Sequence, residues 1–312
     1  MNHPHPSHAG SLASCAVGIN PIMWSNDDFH ELGGETTLDR CLADMHTAGY
    51  AGAELGHKFP REAPALSAVL KAHGLRLVSG WHSTYFAERD FAAEKESYMV
   101  HLRLLRALGA TVFIAAECSK RVYEQPGVSL GWGTDDRPTL NGEEWGRVFS
   151  GLDALAESCA EAGMKLVYHH HMGTVVQTGD ELDRLLAGVP ALNLLYDPGH
   201  LAFAGLDPIA VLRRHGARVA HVHLKNVRPQ VVARARAGRW SFQRAVTEGA
   251  FTIPGDGKPG DGSVDFPKSF EMLSALGYKG WLVVEAEEDP KIAEPLGKAK
   301  RAREYVRTHA NA

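Results

Sequence analysis

Cysteine is scarce in this sequence, and no two cysteines are spaced as a redox or metal-binding pair. The four cysteines are scattered and form no CxxC motif: Cys15, Cys41, Cys118 and Cys159. This distribution argues against a disulfide framework and against a structural zinc site with thiolate ligands. Buried free thiols in a reducing compartment are the favoured interpretation, so we predict a cytoplasmic protein.

Long apolar runs and blocks of lysine and arginine are also lacking. No run is long enough to cross a membrane, and a formal net charge of −4 offers no basic surface for nucleic acid. We therefore expect neither a membrane nor a nucleic-acid partner. Residues 1–15 have no charged segment followed by an apolar one, so we predict a disordered N-terminal tail rather than a signal peptide.

No glycine-rich dinucleotide fingerprint follows any predicted strand, which disfavours a Rossmann fold. The sequence instead alternates strictly between strand and helix signals. The eight predicted strands are 16–23, 52–55, 75–79, 111–116, 164–169, 191–196, 218–223 and 281–285. Alternation implies parallel strands with right-handed crossovers, and eight units in 312 residues favour a closed α/β barrel, the (β/α)8 TIM barrel. We predict one domain over residues 16–312, with a long insertion at about 225–265 that serves as a lid or binding loop.

Capping residues mark the starts of several predicted helices. Thr36 with Asp39 predicts the first helix, and Asn141 with Glu144 predicts the fourth. Asp207 followed by a proline predicts the sixth. The stretch 197–200, between the sixth strand and that helix, is interpreted as a loop.

Four apolar runs, far apart in the sequence, end on residue types that bind metals. The residues are His169, Asp197, His223 and Glu285, and we predict them to be the ligands of one divalent metal ion. The carboxyl ends of the strands of a parallel barrel meet on one face. Carboxylates mixed with imidazoles suit Mn²⁺, Co²⁺, Zn²⁺ or Fe²⁺. His171 is the alternative to His169, because alternate residues on a strand point to the same side.

Other polar residues at the predicted strand ends are candidates for substrate contact. They are Asn20, Glu54, His82, Glu117, His200 and Lys225. Glu54 and Glu117 could equally close the barrel mouth through hydrogen bonds, and His82 could equally be packed in the core. These alternatives stay open at the level of the sequence.

Several motifs together resemble the inosose dehydratase family of inositol catabolism. They are GINPIMWSNDD (18–28), LGGETT (32–37), AGYAGAELGHKFP (48–60), HHHMGT (169–174), DPGH (197–200) and HVHLK (221–225). The likeness extends over about residues 16–308. This family is similar to the xylose isomerase-like TIM barrels of sugar isomerases and epimerases.

The resemblance implies a metal held by Glu, Asp, His and Glu from the last four barrel strands. Asp197, His223 and Glu285 match the last three positions, but His169 stands where the wider superfamily has Glu. His171 matches a position that often serves as acid or base, and His200 matches one that contacts substrate. The implied cofactor is Mn²⁺ or Co²⁺. Glutathione is a further cofactor implied by the family alone, and no residue pattern here indicates a site for it.

The implied reaction is loss of water from 2-keto-myo-inositol (scyllo-inosose), which gives 3,5/4-trihydroxycyclohexane-1,2-dione. Dehydration next to a ketone needs a base for the α proton, an electrophile for the developing enolate and an acid for the leaving hydroxyl. We predict His171 or Lys225 as the base and His200 or His82 as the acid. Burial near a metal is expected to lower the pKa of Lys225 enough for that role.

Three other functions are weighed against this hydro-lyase. An isomerase or epimerase of inososes or keto sugars would use the same metal site without loss of water. A DNA-repair endonuclease of the same barrel would need a basic face, which a net charge of −4 disfavours. A non-catalytic sugar-binding protein would need no converged metal ligands. The expected partner is a small polyol ketone, and whether it is methylated and whether the chain forms homo-oligomers both stay open.

Overall fold

Parallel strands close into a barrel in the computed structural model, which describes residues 12–132, 137–257 and 263–312. These described ranges contain ten strands: β1 (Val17–Ile19), β2 (Gly52–Leu55), β3 (Arg76–Thr84), β4 (Val112–Glu117), β5 (Lys165–Tyr168), β6 (Asn193–Tyr196), β7 (Val219–Leu224), β8 (Asn226–Val227), β9 (Phe251–Thr252) and β10 (Leu282–Val284). The barrel contains β1 to β7 and β10, and it closes where β1 pairs with β10 on one side and with β2 on the other. The predicted (β/α)8 TIM barrel is confirmed.

Helices follow the barrel strands and cover the outside of the barrel. Their bounds are α1 (Leu38–Thr47), α2 (Ala63–Ala72), α3 (Phe91–Ala107), α4 (Gly142–Glu161), α5 (Gly179–Gly188), α6 (Pro198–Ala204), α7 (Pro208–His215), α8 (Pro229–Ala237), α9 (Phe242–Thr247), α10 (Phe266–Ala275), α11 (Pro290–Ala293) and α12 (Pro295–Ala310). Their apolar faces pack on the strands; α4, for example, buries Val148, Leu152 and Leu155. This outer layer supplies most of the hydrophobic core.

The helix starts agree with the capping signals, with two corrections. The capping box of Asn141 and Glu144 and the cap at Asp207 are both present. The cap of α1 is Thr37, which accepts from the backbone N–H of Arg40, so the predicted cap at Thr36 was wrong by one residue. Residues 198–204, predicted to be a loop, form α6, because Asp197 is a helix cap followed by proline in the same way as Asp207.

Inside the barrel, a small apolar cluster fills the space below the carboxyl ends of the strands. It contains Val112, Ile114, Val167 and Leu195, all 5% exposed or less. Successive residues of a strand point to opposite faces, so residues two positions further along a strand point to the same side. His169 therefore follows Val167 inward, and Asp197 follows Leu195 inward. The polar site stands directly on this apolar floor.

The predicted insertion contains a short antiparallel ribbon and two helices. Strand β8 pairs with β9, with α8 and α9 between them. Arg228, at the start of the insertion, forms an ion pair with Glu288 at 2.9 Å, and Lys298 of α12 binds the same carboxylate. Residues 258–262 lie outside the described part of the chain. The insertion is thus attached to the segment that follows the last barrel strand.

Most of the predicted N-terminal tail also lies outside the described residues. Within residues 12–15, Leu12 is 1% exposed and Cys15 is 5% exposed, so the packed chain reaches back to Leu12. In the described ranges, no helix combines the length and the apolar character needed to cross a membrane.

Candidate metal centre

The four predicted metal ligands converge at the carboxyl end of the barrel. The distance from His169 Nε2 to Asp197 Oδ2 is 3.4 Å, and the distance from Asp197 Oδ2 to His223 Nδ1 is 3.6 Å. Glu285 Oε2 lies 2.8 Å from His223 Nδ1. Metal–ligand bonds of about 2.1 Å place neighbouring ligand atoms about 3.0–3.4 Å apart. The observed spacings bracket that range.

Several of these atoms are buried without a hydrogen-bond partner. Asp197 Oδ2 and His223 Nδ1 are both in this state, although each faces other polar atoms of the cluster. Buried polar atoms normally have partners, because an unpaired group loses its hydration without compensation. The arrangement of orphaned oxygen and nitrogen atoms therefore fits a divalent cation, held by His169, Asp197, His223 and Glu285.

His200 is a rival for the fourth ligand position. It brings a ring nitrogen within 4.8 Å of ligand atoms from His169, Asp197 and Glu285. However, His200 Nε2 lies 2.7 Å from Lys225 Nζ and accepts a hydrogen bond from it. His223 approaches Glu285 and Asp197 with a nitrogen that has no such partner, so the geometry favours His223.

Lys225 is a fully buried ammonium behind the ligand cluster. Its Nζ lies 2.6 Å from Glu285 Oε1 and 2.6 Å from Glu287 Oε1. Burial lowers the pKa of Lys225, but the Glu285, Glu287 and Asp197 carboxylates outweigh burial and hold it above its ordinary value. Without a metal ion among these carboxylates, the pKa of Lys225 is thus raised and not lowered, since Glu285, Glu287 and Asp197 keep the lysine charged. Lys225 also does not line the cavity described below.

Glu287 was not predicted as a site residue. It is 1% exposed, and its Oε2 has no hydrogen-bond partner. Burial raises its pKa to about 7, against the lowering effect of Lys225. The sequence feature that could have predicted Glu287 as a site residue is its position two residues after Glu285, because alternate residues of an extended chain point to the same side.

His171 faces the cavity as a neutral imidazole. Its Nδ1 lies 2.8 Å from the carbonyl oxygen of Met172, so Nδ1 carries the proton and Nε2 keeps its lone pair. Burial and the neighbouring His169 and Lys225 hold its pKa well below the ordinary value. An uncharged imidazole with a free nitrogen is the form needed to accept a proton.

Aromatic residues of the insertion form a roof over the histidines. Phe242 lies edge-on to His171, with ring centroids 5.0 Å apart, and Phe251 lies 5.2 Å from the ring of His200. Lys225 Nζ is 5.0 Å from the centroid of Phe251. The roof excludes water from the buried charges beneath it, which strengthens their interactions.

The cluster borders a cavity of about 220 Å³. Drug-sized ligands occupy pockets of about 300–1,000 Å³, so this cavity suits a smaller molecule. Charged and polar side chains line it together with Trp81, Ile114 and Tyr123. Its lining residues are Asn20, Ile22, Asp27, Asp28, Glu54, Leu55, His57, Arg61, Trp81, Ile114, Tyr123, His169, His171, His223, Glu285 and Glu287.

Comparison with known proteins gives the family. Residues 42–309 match the family model described as the xylose isomerase-like TIM barrel. The chain is 43% identical over 293 residues to the inosose dehydratase of Geobacillus thermodenitrificans, which covers 93% of this chain and 96% of the relative. It is 48% identical over 305 residues to the rhizopine catabolism protein MocC of Rhizobium meliloti, covering 96% and 90%.

The chain belongs to the inosose dehydratase family.

Solved structures with similar folds are more distant in sequence. The IOLI protein with a bound zinc atom has a TM-score of 0.66 and 15% identity, and the match covers 94% of this chain and 99% of that one. L-ribulose 3-epimerase has a TM-score of 0.64 and 16% identity, with 95% of each chain covered. At this identity the likeness shows the shared barrel alone.

Within this inosose dehydratase family member, two predicted site residues lie away from the cavity. Strand β3 continues to Thr84, so Trp81 points inward and His82 points toward α3, where its ring stacks on His101 at 5.4 Å. Glu117 accepts hydrogen bonds from Thr84 Oγ1 at 2.9 Å and from the backbone N–H of Phe86 at 3.1 Å. Neither residue lines the cavity. His82 is a packing residue, and Glu117 holds the loops that follow β3 and β4.

The remaining predicted substrate contacts are divided between the cavity wall and the layer behind it. Asn20 and Glu54 line the cavity, and Asn20 Nδ2 donates to Glu54 Oε2 at 2.8 Å. His200 lies behind His171, with ring centroids 4.3 Å apart, and does not line the cavity.

The far wall of the cavity comes from the first sequence motif and was not predicted as part of the site. Asp27 Oδ1 accepts from the His57 backbone N–H at 3.0 Å and lies 2.6 Å from His57 Nδ1. Asp28 also lines this wall, and burial together with Glu287 and Asp27 raises its pKa well above the ordinary value. The sequence feature that could have predicted this wall is the pair of consecutive aspartates shortly after β1, within the first motif of the family resemblance.

Proposed function

We propose that this protein is a hydro-lyase that removes water from 2-keto-myo-inositol to give a trihydroxycyclohexane-1,2-dione in inositol catabolism. The observation that carries the proposal is the convergence of a metal-ligand cluster and a neutral histidine base on one small cavity. The 43% identity to an inosose dehydratase, over nearly the whole of both chains, supports the same chemistry.

A divalent metal ion held by His169, Asp197, His223 and Glu285 would polarise the substrate carbonyl and stabilise negative charge on its oxygen. Three of these residues, His169, His223 and Glu285, line the cavity, and Asp197 lies directly behind them. The donor set contains two nitrogens and two carboxylates with no thiolate, and we propose Mn²⁺ or Co²⁺ as the native ion.

His171 takes the proton from the carbon next to the ketone. Its Nε2 is the free nitrogen, because Nδ1 donates to the Met172 carbonyl. The ring is held between Tyr123, with centroids 4.7 Å apart, and Phe242. This packing fixes the direction of the lone pair, and a positioned general base contributes roughly 10²–10⁴-fold to a rate.

Glu287 delivers a proton to the leaving hydroxyl. Glu287 lines the cavity, and its Oε2 has no hydrogen-bond partner in the described protein. Its other oxygen, Oε1, lies 2.6 Å from Lys225 Nζ. Lys225 acts through Glu285 and Glu287 as a positioning residue, since it does not reach the cavity itself. This assignment replaces Lys225 as a base and His82 or His200 as the acid.

The substrate is a small polyol ketone with many hydroxyl groups. The wall opposite the ligand cluster offers Asp27, Asp28 and Arg61 as hydrogen-bonding partners for those groups. The relative named as a rhizopine catabolism protein makes a modified inosose a second substrate to test. The four free, buried cysteines fit a reducing compartment, and we propose a cytoplasmic enzyme.

The test is an ultraviolet assay on protein stripped of metal and supplied with 2-keto-myo-inositol. Mn²⁺, Co²⁺, Zn²⁺ and Mg²⁺ are added back separately, and the conjugated dione is followed by its absorbance. Metal-dependent growth of that signal is expected. Conversion of the ketone without the signal would indicate an inosose or keto-sugar isomerase, and no conversion with any metal would contradict the proposed substrate.

A further inference from the structure

One carboxylate beside the metal centre has every acceptor position filled by protein. Glu54, at the end of β2, is 2% exposed. Ser79 Oγ donates to its Oε1 at 2.6 Å, and Asn20 Nδ2 donates to its Oε2 at 2.8 Å. His221 Nε2 lies 2.8 Å from Oε1, and His223 Nε2 lies 3.1 Å from Oε2. Four side chains thus surround a single carboxylate.

This saturation decides between two roles for Glu54. Ligand atoms of Glu54, His221 and His223 lie within 4.8 Å of one another, as they would around a second metal ion. A carboxylate offers about four acceptor sites, and here four donors use them. With Asn20, Ser79, His221 and His223 all in contact with its oxygens, Glu54 has no lone pair left for a cation. It acts as an acceptor of hydrogen bonds.

Each ring nitrogen of His223 faces a carboxylate: Nε2 faces Glu54 and Nδ1 faces Glu285. In a neutral imidazole one nitrogen donates and the other accepts. A metal ion bound at Nδ1 would take the lone pair of that nitrogen, and Glu54 then keeps the hydrogen on Nε2. Nδ1 is the atom that lies 2.8 Å from Glu285 Oε2 and 3.6 Å from Asp197 Oδ2. The lone pair is therefore directed at the ligand cluster.

We propose that Glu54 is a positioning residue of the metal centre, which holds His223 in the tautomer that binds the metal through Nδ1. The inference rests on the metal centre of the proposed function and adds the residue that prepares one of its ligands. Carboxylate partners of metal-bound histidines fix ring orientation and raise ligand basicity.

Glu54→Gln separates this role from simple filling of space. Glutamine has nearly the same shape, but one of its two terminal atoms is an NH₂ group, which cannot accept. The NH₂ group would meet donors on either side of the amide, from Asn20 and His223 or from Ser79 and His221. In either orientation the negative charge that holds the hydrogen on His223 Nε2 is lost, so the Nδ1 lone pair is directed less firmly at the ligand cluster. We expect a loss of roughly 10–100-fold in metal affinity.

The measurement is metal affinity by competition with a chromophoric chelator, using Mn²⁺ and Zn²⁺, in the absence of substrate. Glu94→Gln is the matched control, because Glu94 is also 2% exposed and accepts from Arg89 at 3.2 Å, outside the cavity. Glu54→Asp keeps an acceptor carboxylate and is expected to recover part of the lost affinity. Thermal unfolding confirms that each variant is folded, and Glu54→Asp provides the comparison if Glu54→Gln does not fold.

A second readout is independent of affinity. Long-range nitrogen–proton spectra of histidine-labelled, zinc-loaded protein distinguish a metal-bound Nδ1 from a metal-bound Nε2. The wild type is expected to show His223 protonated at Nε2 and metal-bound at Nδ1.

The inference is supported if Glu54→Gln binds one metal ion 10–100-fold more weakly while Glu94→Gln is unchanged. It is overturned if Glu54→Gln keeps wild-type affinity, or if the wild type binds two ions and the variant binds one. In the second case Glu54 would be a ligand. Because no substrate is present, failure of the dehydration assay leaves this result standing, whereas failure of the wild type to bind metal would overturn both proposals.

Discussion

Replacing Lys225 by methionine tests whether a buried cation holds the two glutamates of the site. Methionine keeps the length of the side chain and removes the charge. In the wild type, Lys225 Nζ makes two contacts of 2.6 Å, with Glu285 and Glu287, and none of the three side chains is more than 7% exposed. Removing one partner from a buried ion pair costs about 3–5 kcal/mol, because the other charge stays buried without compensation.

Without metal, the free energy of unfolding of the Lys225→Met variant is therefore expected to be about 3–5 kcal/mol lower than that of the wild type. The variant should accordingly unfold at a lower denaturant concentration. Added Mn²⁺ is expected to restore more stability to the variant than to the wild type. The reason is that a divalent cation bound to Glu285 supplies positive charge where the ammonium was lost, and ligands that bind only the folded state stabilise it. Turnover is expected to fall at least about 10²-fold, because Glu287 is no longer positioned as an acid.

Lys298→Met is the matched control for this experiment. Lys298 is also a buried lysine, and it pairs with Glu288 outside the cavity. It should lose stability by a similar mechanism but keep its turnover and show no extra response to metal. If Lys225→Met is as stable as the wild type without metal, or if both lysine variants lose activity equally, the positioning role of Lys225 is refuted.

Three further changes test other parts of the site. His171→Ala should bind one metal ion as the wild type does but turn over about 10²–10⁴-fold more slowly in the dione assay; loss of the metal instead would make His171 a ligand. His82→Phe should keep wild-type turnover and resist acid better. Burial lowers the pKa of His82 to about 3 in the folded protein. Below pH 6.5 the unfolded chain therefore binds a proton at His82 that the folded protein does not, and the free energy of unfolding falls as the pH falls. Between pH 6.5 and 5 the variant should lose about 2 kcal/mol less than the wild type in urea unfolding, and an equal loss would contradict this reasoning. Gly199→Ala should destabilise the protein by about 1–3 kcal/mol, because a Cβ there would lie 2.6 Å from Lys225 Cγ and 2.8 Å from its carbonyl oxygen; an unchanged melting temperature would argue against this packing.

The barrel and its ligand cluster could be predicted because both follow from periodicity. Alternating strand and helix signals specify parallel strands, and the carboxyl ends of parallel strands share one face. His169, Asp197, His223 and Glu285 are close in space for that reason alone, although 116 residues separate the first from the last. The helix α6 was also predictable, since Asp197 and Pro198 repeat the signal that correctly placed α7.

Properties that depend on neighbours distant in sequence could not be predicted. The direction of His82 depended on β3 continuing five residues past its predicted end, because the alternation along the strand then turns Trp81 inward and His82 outward. The charge state of Lys225 depended on Glu285 and Glu287, which lie about 60 residues later in the chain. The saturation of Glu54 needed four partners from two other strands and the segment after β1, and no local pattern encodes such a set.

The ion pairs of Glu288 limit how the sequences of this family can change. Glu285 and Glu287 serve the cavity, whereas the next residue, Glu288, binds Arg228 of the insertion and Lys298 of α12. Four residues of chain thus carry both the chemistry and the attachment of the roof. A relative that exchanges the insertion for another is expected to alter Glu288, Arg228 and Lys298 together, because loss of Glu288 would leave the buried Lys298 without this carboxylate, and loss of either cation would leave Glu288 with one partner in place of two. These three positions should therefore vary as a set, while Glu285 and Glu287 stay fixed.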